Sequence, residues 1–156
     1  MLTLQPMSEE SYAQFKVRSI EDFTHSKIQE EGTPEEDAIR LANEAFEKQL
    51  PQGTQSEDQF LFDVLDTDSN RVGWLWFAKK TQHEKTYAWL YNIIVEVEHR
   101  GKGYGKQMMQ LLEAEAKRQN LQSIGLHVFG SNQKARALYE GQGYQPTNLV
   151  MYKELI

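Results

Sequence analysis

Residues 99–106 read HRGKGYGK, with Gly101, Gly103 and Gly105 at alternate positions among Arg100, Lys102 and Lys106. Glycine has no Cβ, so a backbone built from it brings its N–H groups within hydrogen-bond reach of a bulky anion. The next stretch, QMMQLLEAEAKR, reads as helix, and the positive end of a helix dipole adds to the same attraction. The chemistry this predicts is phosphate binding. Two familiar phosphate loops do not fit. A Walker loop around Gly105-Lys106 needs Gly at 100 and Ser or Thr at 107, where the chain has Arg100 and Gln107. A dinucleotide fingerprint needs a different glycine spacing and normally sits early in its domain, whereas this stretch lies about two thirds of the way along.

Two further side chains are suited to moving protons. In SIGLHVFG the strand alternation sets Ile124, Leu126 and Val128 on one side and Gly125, His127 and Phe129 on the other. A group that titrates near neutral pH thus stands apart from the aliphatic set. In SNQKARALYEGQ, Asn132, Ala135 and Tyr139 recur at three and four and share one helix face. Each has a plain alternative reading, a packed or hydrogen-bonded histidine and a buried tyrosine with a satisfied hydroxyl. His25, His83 and His99 have no ligand spacing, so no metal is expected.

These residues must be positioned by regular elements, and the pattern supplies them. LTLQP fits a short first strand, and Tyr12, Phe15, Ile20 and Phe23 then have loosely helical spacing. Thr33-Pro34-Glu35-Glu36 predicts a helix start, with Thr33 as cap, Pro34 at the first position and Glu36 completing a capping box. Ile39, Ala42, Phe46 and Leu50 form its apolar face until Pro51 and Gly53 end it. From Gln59 the runs QFLFDVL, RVGWLWFAK and TYAWLYNIIVEV read as three strands of an antiparallel meander, with Trp74, Trp76 and Trp89 packing the sheet. Met108, Leu111, Leu112 and Ala116 mark a core-facing stripe on the helix after the glycines. QSIGLHVFG is a strand, SNQKARALYEGQ a helix capped by Ser131 or Asn132, and NLVMYKEL a last strand. The expected fold class is α/β, a mixed and mostly antiparallel central sheet flanked by helices.

With 156 residues, 39 % hydrophobic, one domain spanning 1–156 is expected. Cysteine is absent, which excludes disulfides, thiolate metal sites and a cysteine nucleophile, and favours an intracellular setting. The polar, acidic start is unlike a signal peptide, and no run is long and apolar enough to span a membrane, so a cytoplasmic location is expected. The net charge of −6 is unevenly spread: residues 1–58 hold 13 acidic and 5 basic side chains, a balance of −8, and residues 59–156 hold 10 and 12, a balance of +2. That distribution argues against nucleic-acid binding over the whole surface and allows an anionic ligand in one place and a cationic one in another.

The glycine stretch resembles the signature of the GNAT superfamily of N-acetyltransferases: an Arg or Gln, two residues, Gly, one residue, then Gly or Ala. Arg100 through Gly105 match it. A second signature is similar too, an Asn opening a helix followed by Ala, Tyr and Gly-aromatic, here Asn132, Ala135, Tyr139, Gly143 and Tyr144. The resemblance covers residues 59–156 well, as an acetyl-CoA-binding core, and residues 1–58 in outline, as a helical segment walling the acceptor side. It implies that the CoA pyrophosphate lies on the N–H groups of Gly101, Lys102, Gly103, Tyr104, Gly105 and Lys106, with Arg100 and Asn132 nearby. The pantetheine arm would pair along the strand ending Val95-Glu96-Val97. It also implies acetyl-CoA as co-substrate, an amine acceptor, and pairing of two chains, for which the final strand offers an edge.

Acetyl transfer from a thioester to an amine needs an unprotonated amine, stabilisation of the developing oxyanion and a proton for the leaving thiolate. The family achieves this by direct attack in a ternary complex. Tyr139 stands where the family's tyrosine reaches the sulfur and is the candidate acid. His127 stands where the branch that acetylates ribosomal proteins carries a glutamate base, while the histone-acetylating branch's glutamate position falls near Trp89, which cannot serve. His127, Glu96 or a water chain are the candidate bases. The acceptor stays open between a small cationic amine, suggested by the −8 balance, and a protein N-terminus or lysine. The alternative function is a CoA-binding sensor or interaction module without turnover.

Overall fold

A computed structural model describes all residues, 1–156, in five strands and four α-helices. β1 (Thr3–Pro6) leads into α1 (Glu9–Glu31) and α2 (Glu35–Gln49). β2 (Gln59–Leu65), β3 (Arg71–Gln82) and β4 (Lys85–Val95) come next, then α3 (Tyr104–Arg118), β5 (Ser123–Leu126) and α4 (Gln133–Gly141). The sheet order is β1-β2-β3-β4-β5, antiparallel through β4 and parallel between β4 and β5, which is the expected mixed class.

Local chemistry sets the connections. The Asp66 carboxylate accepts from the amides of Asp68 and Asn70 at 2.9 Å and shapes the β2–β3 turn. His83 and Glu84 both adopt positive φ, 51° and 64°, the geometry of a two-residue turn whose twist suits the β3–β4 hairpin. Ser8 caps α1 by accepting from the Ser11 amide at 3.1 Å, and Gly32 closes it at φ 67°.

One face of the sheet carries α1 and α2 over an aromatic core of Phe15, Phe46, Trp74 and Trp76. The Trp74 indole donates to Ser11 Oγ at 2.9 Å, and the Ser11 hydroxyl donates to the Asp63 carboxylate, fixing the start of α1 to the sheet. The other face carries α3, whose Met108, Met109, Leu112 and Ala116 pack on Leu75, Phe77, Ala88 and Leu90. Each such large side chain removed from water contributes about 1.5–3 kcal/mol.

Three expectations need correction. α2 begins at Glu35 with Pro34 in the cap position and no side-chain cap bond, so Thr33 makes no capping box. Its buried face is Ala38, Ala42 and Phe46, and Ile39, one step round the helix, is exposed. NLVMYKEL forms no strand: residues 145–156 make no backbone hydrogen bond, and Leu149, Val150, Met151 and Tyr152 are exposed. Strand propensity describes a fit to neighbours already in place, and this segment takes none.

The feature that makes the site is a bulge in β4. Trp76 pairs with Asn92 and Phe77 with Leu90, leaving Tyr91 as an extra residue. A one-residue slip reverses the faces of every residue beyond it. Tyr91 and Asn92 therefore both turn towards α1 and α2, Tyr91 stacking on Trp76 at 4.5 Å and Asn92 Nδ2 donating to Ser19 Oγ at 3.3 Å. β5 pairs only with Tyr87–Leu90, so β4 beyond Leu90 has no partner on that side and the sheet opens as a wedge.

Candidate active site

The glycine turn leaves β4 through a 3-10 turn, Val97–His99, and ends at α3. Gly101 and Gly103 have φ of 78° and 76°, where a side chain costs about 1–2 kcal/mol. Gly103 occupies the cap position of α3 and offers no capping side chain. The amides of residues 101–106 consequently donate to no protein acceptor, a run of uncommitted donors at the positive end of a helix. Gly105 does different work: a Cβ there would lie 3.3 Å from Leu138 Cδ2, so it lets α4 approach α3. Lys102 and Lys106 are exposed beside the turn.

Two residues expected near the cofactor, Val97 and Arg100, belong to the turn that follows β4. Val97 lies outside β4, in the 3-10 turn, and is exposed. Arg100 folds back, its Nε donating to the Val95 carbonyl at 3.0 Å, which braces the turn and occupies the carbonyl that a strand-like ligand would seek. Glu96 does not border the cleft. Its amide donates to Val72 and its Oε1 is buried without a partner.

The wedge between β4 and β5 widens into a cleft of about 580 Å³. Leu90–Ile93 of β4 form one lip; Leu126 at the end of β5 and His127–Phe129, which lie beyond the strand expected to hold them, form the other, and Asn132, Ala135 and Tyr139 of the α4 region form its end. The three therefore share a helix face on the cleft, as their spacing predicts. Asn132 caps α4, its Oδ1 accepting from the Ala135 amide at 3.2 Å, so only its amide nitrogen is uncommitted. Tyr139 is 9 % exposed. Burial raises its phenol above the ordinary value, and its hydroxyl has no hydrogen-bond partner in the protein. A proton donor lacking an internal acceptor is free for whatever enters. His127 is exposed at the lip, with its ring edge-on to Phe129 at 4.9 Å.

The far wall of the cleft comes from α1 and α2, which bring Ser19, Ile20, Phe23 and Phe46 opposite Trp76, Trp89 and Tyr91. Two bonds hold these helices over the bulge, Tyr91 Oη to Gln49 Oε1 at 2.8 Å and the Asn92–Ser19 contact. A third, from Ser131 Oγ to Glu30 Oε1 at 2.6 Å, joins the start of the α4 region to the end of α1. Trp74 and Trp76 are buried sheet packing as expected, but Trp89 is only half-buried and borders the cleft. Its ring lies so close to Gly125 that a Cβ there would sit 2.9 Å from Cε3 and Cζ3. Asn92 and Ser19 carried no sequence signal, because the bulge that pairs them is not local.

Strand order, bulge and wedge together define an N-acetyltransferase fold of the GNAT type. A family model described as the Acetyltransferase (GNAT) family matches residues 18–144, and the chain belongs to that family. YycN of Bacillus subtilis, described as an uncharacterized N-acetyltransferase, is 32 % identical over 154 residues, covering 99 % of each chain. Its crystal structure superposes with a TM-score of 0.94 over 100 % of this chain and 99 % of that one. YdgE of the same organism, described in the same terms, is 30 % identical over 98 % of each chain. An acetyl transferase structure from Pyrococcus furiosus is 26 % identical and superposes at 0.75, covering 99 % of this chain and 100 % of that one.

Proposed function

We propose that the protein moves an acetyl group from acetyl-CoA to a primary amine by direct attack, with Tyr139 giving its proton to the departing thiolate. One bond forms, between nitrogen and the acetyl carbon, and one breaks, between that carbon and sulfur. The amine's proton leaves through His127, directly or by way of water at the exposed lip. The observation that carries this reading is the Tyr139 phenol, which borders the cleft, carries its proton at neutral pH as an ordinary phenol does, with burial raising its pKa further, and is bound to no protein group.

The residues fit the co-substrate. Uncommitted amides from Gly101 to Lys106, with Lys102 and Lys106 beside them, suit a pyrophosphate. The unpaired side of β4 beyond Leu90 suits an amide-bearing chain lying as an added strand, with the Val95 carbonyl already taken. Asn132 lines the cleft, and its side-chain nitrogen Nδ2 is free. Acetyl-CoA bound there supplies an activated acyl group, and the protein supplies orientation and protons.

The test is acetyl-CoA-dependent thiol release over a panel of amines and short peptides, with Tyr139→Phe beside the wild type. Loss of a general acid lowers turnover roughly 100- to 10,000-fold. Acetyl-CoA affinity by calorimetry is expected to hold, because the lost hydroxyl leaves no protein partner unpaired. Undiminished turnover in Tyr139→Phe would remove the phenol from the reaction. Tight acetyl-CoA binding with no turnover of any amine would make the protein a binding module.

A further inference from the structure

We propose that the acceptor is a primary amine carrying a single positive charge on an aromatic or branched apolar body, and that polyamines and other polycations are disfavoured. The inference rests on the acetyl-transfer reading of the cleft and names what its acceptor half takes. The acidic balance of the first 58 residues points the other way, but the structure shows where that charge lies. Of the 13 carboxylates in residues 1–58, only Asp22 and Glu31 border the cleft. Both are already matched, Asp22 by Arg18 at 3.2 Å and Glu31 by Lys27 at 2.9 Å. Lys27 itself borders the cleft and lies 5.4 Å above the Phe23 ring, so the charges on this wall cancel in pairs and leave no net anion for a polycation.

What the acceptor half offers instead is aromatic surface. Phe23 and Ile20 of α1 face Trp89 and Tyr91 of β4, Phe46 and Trp76 form the floor, and Phe129 closes the side next to His127. Such a wall stabilises an apolar body by burial and can hold one ammonium against a ring face. It also favours the reactive form: moving an ammonium from water to apolar surroundings lowers its pKa, and the neutral amine is the nucleophile. A second or third ammonium on the same molecule would enter the cleft with no carboxylate free to pair with it, which is costly. The whole cleft is about 580 Å³ and must hold the acyl donor's end as well, which limits the acceptor portion to one small residue-sized group.

The chemistry has two sources, a free arylalkylamine and the amino terminus of a peptide with an aromatic or branched first residue. The experiment compares phenethylamine, tryptamine and isoamylamine with putrescine and spermidine, and adds Phe-Gly-Gly-amide and Gly-Gly-Lys-amide. Turnover is read by thiol release, and binding by quenching of tryptophan fluorescence, since Trp76 and Trp89 border the cleft. The expected result is kcat/KM at least tenfold higher for the apolar monoamines than for putrescine and spermidine. The better of phenethylamine and Phe-Gly-Gly-amide tells the two sources apart. Phe23→Asp, on an exposed helix position that tolerates a polar side chain, should shift the ratio towards putrescine at least tenfold, and Phe23→Leu should preserve it. Equal or preferred use of spermidine by the wild type would overturn the inference. If acetyl-CoA fails to bind, the acetyl-transfer reading falls, and the fluorescence titration still decides this one. Quenching by phenethylamine and not by spermidine supports it, and the reverse, or no quenching by either, refutes it.

Discussion

Gly125→Ala tests the wall of the cleft with one methyl group. Gly125 and Trp89 are register partners on the parallel strands β5 and β4, and the added Cβ would lie 2.9 Å from two ring carbons of Trp89. Carbon atoms rest about 3.5–4.0 Å apart, so the ring must retreat by about 0.6–1.1 Å. The indole borders the open cleft and has room to move, which places the cost near the low end of the roughly 1–3 kcal/mol typical of overpacking. Replacing glycine within a strand returns about 0.5–1 kcal/mol of that. The net destabilisation expected is about 1 kcal/mol or less, a fall in Tm of about 2–4 °C for a chain of this size.

The larger effect is on the acceptor. A displacement near 1 Å in a group that positions a substrate can lower the rate on the order of 100-fold. Steady-state kinetics with the best amine should therefore show kcat/KM for the amine reduced roughly 10- to 100-fold, while calorimetric affinity for acetyl-CoA stays within about twofold of wild type. Adding Trp89→Phe, which withdraws the clashing ring edge, should make the double variant less impaired than the sum of the two single variants. An unchanged amine kcat/KM in Gly125→Ala would show that Trp89 does not position the acceptor. An equal loss of acetyl-CoA affinity would show that the ring belongs to the donor half.

Gly73→Ala should behave quite differently, because its Cβ would fall 2.0 Å from the Ile94 carbonyl oxygen, a backbone atom, and 2.5 Å from Met108 Cε. A loss above about 4 kcal/mol is expected, read as insoluble protein or a Tm lowered by more than about 10 °C, and a soluble variant within about 4 °C of wild type would contradict it. The Tyr144 hydroxyl is buried without a partner, and burial, with Glu113 and Tyr139 adding to it, pushes its pKa up to about 12. The unfolded chain loses that proton near pH 10 while the folded one keeps it to about 12, so this tyrosine lowers stability as pH rises through that window and not below it. Urea midpoints, compared between about pH 8 and about pH 11.5, should fall less in Tyr144→Phe than in wild type, and parallel falls would refute the assignment. Removing residues 145–156 deletes no backbone hydrogen bond and should move Tm by less than about 2 °C. A fall beyond about 5 °C would show that this segment packs on the fold and would refute the expectation.

How much of this was legible beforehand depends on the range of each signal. The glycine turn, the helix behind it and the Asn132 cap are written in contiguous residues, and all three form. The shared face of Asn132, Ala135 and Tyr139 needs only the helical repeat, and all three reach the cleft. The bulge at Tyr91 is a property of how β4 pairs with β3, and the run YAWLYNII gives no hint that its alternation breaks there. Ile39 misled because the helix turns about 100° per residue: Ala42, Phe46 and Leu50 are buried as counted, and the turn before them is filled by Ala38, one position from Ile39. Charge is the hardest to place from sequence: a balance of −8 is a sum with no positions in it, and the two carboxylates that reach the cleft are both in ion pairs.

On the proposed reading, the bulge also separates the donor and acceptor requirements of the cleft. Without the extra residue, Asn92 would fall on the α3 face and β4 would continue with the alternation that pairs it to β5. With it, Tyr91 and Asn92 both face α1 and α2, where Gln49 and Ser19 hold them, and the strand edge beyond Leu90 is left free. The aromatic cluster under α1 and α2 and the aliphatic cluster under α3 share no buried residue, being separated by the sheet. Exposed positions on the inner side of α1, Phe23 foremost, can thus be exchanged without disturbing the packing that holds the glycine turn. On the proposed reading, selection for a new amine would act on α1 and leave the α3 turn and Tyr139 as they stand.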